Sequence, residues 1–187
     1  MSHGITPSQT IGPFYFGTVV KAYRADMAPA GMAGERIELA LTLYDVDGAL
    51  VPDGLLELWQ ANSHGRYNHP DDRRNLPLDP GFEGFGRASA DATGTAHFTT
   101  VKPGRVPWPA GGMQAPHINV SVFARGLLNR LATRVYFTGD PANAEDPALK
   151  LVDPARRASL IAKRDAKGIW RHPIRLGGAA ETVFFDV

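Results

Sequence analysis

RIELALTLY (36–44), GLLELWQA (54–61), GTAHFTTV (94–101), HINVSVFA (117–124) and LATRVYF (131–137) decide the fold class. In the first, Ile37, Leu39, Leu41 and Leu43 alternate with polar or small residues. Successive side chains of an extended chain point to opposite faces, so this period of two marks a half-buried strand. Between the segments stand turn signals such as Asp45-Val-Asp-Gly48 and Asp91-Ala-Thr-Gly94. Aspartate bonds its own backbone there, and glycine accepts a positive φ. TVFFDV (182–187) reads as a last strand. Several short strands with turns between them predict an all-β sandwich or barrel.

One short helix is predicted, with Asp153 as N-cap, Pro154 at its first position and ARRASLIAKR following. Residues 1–35, punctuated by Pro7, Gly12-Pro13, Pro29 and Gly31, show no sustained period. They predict an extended N-terminal arm that must pack on something to be ordered, ahead of a domain over 36–187. Two stretches, 68–87 and 102–116, are too long for plain hairpin loops. Loops beyond ~12–15 residues in a compact domain are usually functional or part of an interface.

Composition excludes several classes. The chain has 187 residues, enough for one domain with a sizeable core. Twenty Lys+Arg against nineteen Asp+Glu give a net charge of +1. The pairs Arg156-Arg157 and Lys163-Arg164 are the solvated face of the predicted helix rather than a nucleic-acid patch, so nucleic acid is not expected as a partner. With no cysteine, disulfides and thiolate ligands are impossible. No apolar run approaches the ~20 residues of a membrane span. MSHGITPSQT lacks the basic and apolar regions of a secretory signal, so a soluble, cytoplasmic protein is expected.

One strand carries a metal-type pattern. HINVSVF puts His117, Asn119, Ser121 and Phe123 on one face. A His-x-His here would aim two imidazoles at one point, but the second position is Asn119, whose neutral amide is a poor transition-metal ligand. Tyr67 opens the first long loop. Alone, a strand histidine is more often a satisfied core residue, and a tyrosine a half-buried aromatic.

Taken together the motifs say more. TPSQTIGPFYFG (6–17), DGLLELWQANSHGRY (53–67), PLDPGFEGFGR (77–87), TVKPGRVPW (100–108), APHINVSVFARGL (115–127), RVYFTGDP (134–141), SLIAKR (159–164) and ETVFFD (181–186) appear in order over nearly the whole chain. In these the protein resembles the intradiol ring-cleaving dioxygenases, and within them the α chains of two-chain enzymes. The resemblance implies a two-sheet β-sandwich, and a β subunit holding non-haem Fe3+ with two tyrosines and two histidines. That subunit would insert O2 between the hydroxyl-bearing carbons of an aromatic dihydroxy acid. In this chain Tyr67 and His117 stand at the first tyrosine and first histidine positions. Val106 and Asn119 occupy the other two, and Gln114 stands where the catalytic chain has an arginine. No iron is therefore expected on this chain, and the Fe3+ is expected on the partner.

The same resemblance places the N-terminal segment against the partner's pocket, with Thr10, Gly12, Pro13 and Phe14 as substrate-binding candidates, and adds Arg125 at the pocket mouth. Two other functions compete. A self-sufficient dioxygenase with an altered site is opposed by Val106 and Asn119. A β-sandwich assembly or binding module without a role in catalysis is opposed by the intact GPFYF arm and Arg125.

Overall fold

The computed structural model describes Gly12 and residues 18–186. Its strands are β1 (Arg36–Tyr44), β2 (Leu55–Trp59), β3 (Phe85–Ser89), β4 (Thr95–Val101), β5 (Val106–Pro107), β6 (Met113–Gln114), β7 (His117–Phe123), β8 (Leu131–Phe137), β9 (Ile161–Arg164) and β10 (Trp170–Arg175), with one helix, α1 (Pro147–Leu151). The period-two segments all become strands.

The strands form two leaves. In the first, β3, β2, β7 and β8 run antiparallel in that order. In the second, β1 lies between β4, antiparallel to it, and β10, parallel to it. Four residues join the leaves on one side: Ile161 and Ala162 of β9 pair with Tyr136 and Phe137, and then Lys163 and Arg164 pair with Arg171 and Trp170. On the other side, residues 24–27 stitch the edge strands together. Arg24 exchanges both backbone bonds with Arg87 of β3, and Thr99 of β4 bonds Ala25 and Met27. Met27 turns inward and is buried against the core.

Between the leaves lie Ile37, Leu39, Leu41 and Leu43 of β1, facing Leu56, Leu58, Ile118, Val120, Val122 and Phe137. A smaller cluster of Ala115, Tyr136, Leu149, Val152 and Leu160 covers the outer face at β8. This outer layer carries the site. Among the described residues no helix is long and apolar enough to cross a membrane.

Three expectations are corrected. The helix predicted from Asp153 is absent. Residues Arg157–Leu160 make a short 3-10 turn, and Ile161–Arg164 becomes β9. The side chain of Asp153 bonds only the Ala155 N–H, a local turn, while the β8 edge claims Ile161 and Ala162. The real helix starts seven residues earlier at an identical Asp-Pro signal: Asp146 caps it through Leu149 N–H, and Pro147 takes the first turn. Of the last segment, the described residues 182–186 form a single bridge, Phe185 with Ala132, rather than a strand. The loop over 68–87 ends three residues early, in β3.

Candidate functional site

Two loops build a cleft of about 810 Å3 on the outer face of the first leaf. The first loop turns on Asn62, which is fully buried. Its Oδ1 accepts from His64 N–H and Arg66 N–H, and its Nδ2 donates to Pro77 O and Asp79 Oδ2. Gly65, at φ +77°, lies so close to the second loop that a Cβ would stand 2.0 Å from Arg105 O. Only a residue without a side chain permits that approach. The loop then delivers Tyr67 onto Trp59, ring on ring at 5.7 Å and 12°. Asp72 accepts from Tyr67 N–H at 2.8 Å and is itself gripped by Arg74, which holds its carboxyl well below the usual range.

The opposite wall is the hairpin β5–β6, where buried Val106 pairs with Gln114. Gln114 Nε2 donates to Pro107 O at 2.9 Å. Tyr67, Val106 and Gln114 thus line one cleft. His117 and Asn119 sit beneath it on β7. Asn119 Nδ2 donates weakly to Trp59 O at 3.3 Å, and the same amide favours the ionised form of the Tyr67 phenol. His117 is buried, with Nδ1 2.8 Å from Ala115 O and its ring 5.6 Å from that of Tyr136. Burial and then the nearby Arg134 charge push its pKa down to about 4, so its imidazole is neutral. Burial raises the Tyr67 pKa, and the Arg134 charge only partly offsets this.

Arg134, which sequence reasoning missed, belongs to this group. It lies directly across the β7–β8 ladder from Asn119, and opposed residues share a face. Its Nη1 donates to Gln114 Oε1 at 2.8 Å and to Tyr136 Oη at 3.3 Å. The guanidinium also lies 6.0 Å from the Trp108 ring and 5.6 Å from that of Phe185. Its signal in the sequence was a charged residue at a polar-face position of LATRVYF, but the register that sets it opposite Asn119 was invisible.

The residues present do not fit ferric iron. Val106 offers methyl groups, Asn119 a neutral amide turned to Trp59 O, and a permanent cation stands beside the remaining donors. Nor does Arg125 belong to the cleft. It follows the far end of β7, about 25 Å along the strand from His117, and pairs on the surface with Asp53 at 3.3 Å. Gly12 is exposed, with φ +55° and open space where a Cβ would stand. Thr10, Pro13 and Phe14 lie outside the described residues.

The fold and cleft have known counterparts. The family described as Dioxygenase matches residues 12–171. The protocatechuate 3,4-dioxygenase alpha chain of Pseudomonas putida is 43% identical, over 97% of this chain and 96% of that one. The beta chain of the Burkholderia cepacia enzyme is 42% identical over 70% of this chain and 56% of its own length. Among solved structures, the dioxygenase domain of a carbohydrate-binding fusion protein from Streptomyces sp. SirexAA-E superposes with a TM-score of 0.61, at 24% identity, over 93% of this chain and 99% of that one. The motifs, the sandwich and the full-length match agree, and the chain belongs to the intradiol ring-cleavage dioxygenase family.

Proposed function

We propose that this chain is the non-catalytic alpha subunit of a protocatechuate 3,4-dioxygenase. It completes the substrate pocket of an iron-bearing beta subunit that cleaves 3,4-dihydroxybenzoate with O2 to 3-carboxy-cis,cis-muconate. The observation that carries this reading is the pair Val106 and Asn119. They put methyl groups and a neutral amide at two of the donor positions that the resemblance implies, in a chain similar end to end to named alpha chains. The Fe3+ belongs to the partner, and both chains share the sandwich.

In the assembled enzyme, Thr10, Gly12, Pro13 and Phe14 border the partner's pocket, and Arg125 stands at its mouth for the ring carboxylate. The exposure of Gly12 and the position of Arg125 on the surface, away from this chain's own cleft, support that assignment. The test is to express the chain alone and together with a protocatechuate 3,4-dioxygenase beta chain. The chain alone should hold no stoichiometric iron and show no visible tyrosinate-to-iron band. The co-expressed pair should run as two bands and be red-brown and active. Iron and activity in the isolated chain would overturn the reading.

A further inference from the structure

The cleft has lost two donors, yet the layer beneath it is not apolar. Arg134 extends from β8 on the same face as His117, Asn119 and Tyr136. Its charge reaches Tyr67, His117 and Tyr136, three rings at and beneath the cleft. Its contacts are an amide oxygen, a phenol and two aromatic faces. Among the described residues it makes no ion pair. Aromatic faces and neutral oxygens are what a weakly hydrated cation accepts when no carboxylate is offered. Gln114 is oriented for it: the amide donates to Pro107 O on one side and accepts from Arg134 on the other.

We propose that the Arg134 guanidinium is a built-in replacement for the metal cation, so that the cleft rejects ferric iron even when all four donors are restored. This rests on the reading of the chain as the iron-free subunit, and adds the device that keeps it iron-free. A guanidinium cannot shed its proton at any pH the fold survives. Iron can enter only by placing like charges side by side or by expelling the side chain from Gln114, Tyr136 and the two rings. Val106 and Asn119 take donors away, and Arg134 makes the vacancy positive.

The test uses the full chain in three forms: the parent, Val106→Tyr with Asn119→His, and that pair with Arg134→Gln. Each is exposed to ferric citrate, dialysed, and read by metal content and the visible tyrosinate-to-iron band, with circular dichroism as the fold control. The four-donor variant that keeps Arg134 should bind iron at least about a hundredfold more weakly than the one that lacks it, since a like-charge juxtaposition is that unfavourable. Arg134→Lys in the same background should still reject iron, because it keeps a cation. Arg134→Met serves if the glutamine variant does not fold. Equal uptake with and without Arg134 overturns the inference alone, as does a folded Arg134-free variant that takes up no iron. Iron in the parent overturns the subunit assignment as well.

Discussion

Asp146 is fully buried, and three donors converge on it. Oδ2 accepts from Ala115 N–H at 2.6 Å, while Oδ1 accepts from Leu149 N–H at 2.8 Å and Tyr136 Oη at 3.3 Å. One carboxylate therefore caps α1 and fixes the backbone leading to His117. Replacing it with alanine strands buried donors, each costing ~1–3 kcal/mol, and removes a cap worth ~1 kcal/mol. Asp146→Ala should lower stability by about 4 kcal/mol in urea unfolding, and Asp146→Asn, which keeps one acceptor, by roughly half of that. Arg125 is the opposite kind of residue. Its pair with Asp53 is exposed, 76% and 50% by side chain, so losing it should cost under about 1 kcal/mol. If it meets the substrate carboxylate in the assembled enzyme, Arg125→Ala should raise KM about tenfold, since a bond to a charged group contributes ~1.5 kcal/mol or more. The carboxylate stays outside the chemistry, so kcat should hold. Plain catechol, without the carboxylate, should be indifferent, and equal losses on both substrates would mean that Arg125 acts on assembly.

At the level of elements, the site depends on how two loops touch. Gly65 meets the backbone of Arg105, and Gly104 approaches Ser63 O and Gly65 N so closely that a Cβ there would stand 2.5 Å from each. Gly65→Ala adds a left-handed strain of ~1 kcal/mol or more to a collision with backbone that cannot swing away. A loss of about 3 kcal/mol and quenching changes in the stacked Trp59 fluorescence should follow. Gly48→Ala, also at positive φ but with open space around it, isolates the strain and should cost about 1 kcal/mol. These contacts were invisible in the sequence, which marked 68–87 and 102–116 as important without saying that the turn before the first packs on the second. The strands were legible because alternation is local. β9 was not, since SLIAKR offers a helical pattern and a preceding Asp-Pro. What makes Ile161 and Ala162 a strand is the unfilled edge of β8, more than twenty residues away in the chain. WRHPIR escaped for a related reason. Pro173 argues against a strand, yet it lies past the two residues of β10 that pair with β9.

Across the whole molecule, the two leaves close at one side through β9 and at the other through residues 24–27, and His172 lies in the space between them. It stands opposite Leu41 of β1, flanked on β10 by Trp170 and Ile174. The resemblance made the sandwich legible, and the donor positions with it, because motifs carry over residue by residue. A histidine in the core, like Arg134 beneath the cleft, takes its place from strand register, which no motif states. Burial is the main influence on His172 and outweighs its contact with the Ile161 backbone, lowering its pKa from 6.5 to about 4. As pH falls, the unfolded chain therefore takes up the proton first. The stability that goes with the neutral ring is fully present above about pH 6.5 and is lost progressively down to pH 4, by ~3 kcal/mol in total at 1.36 kcal/mol per unit. Between pH 7 and pH 5 the share from His172 should be about 2 kcal/mol. His117 carries a similar shift, so the parent should lose more than this. His172→Leu, which fills the site without a titrating group, should leave the His117 share and remove about 2 kcal/mol of the pH 7-to-5 difference in urea unfolding free energy. An unchanged difference in this variant would mean that the folded core admits the proton, and that the leaves open around His172 more readily than their packing implies.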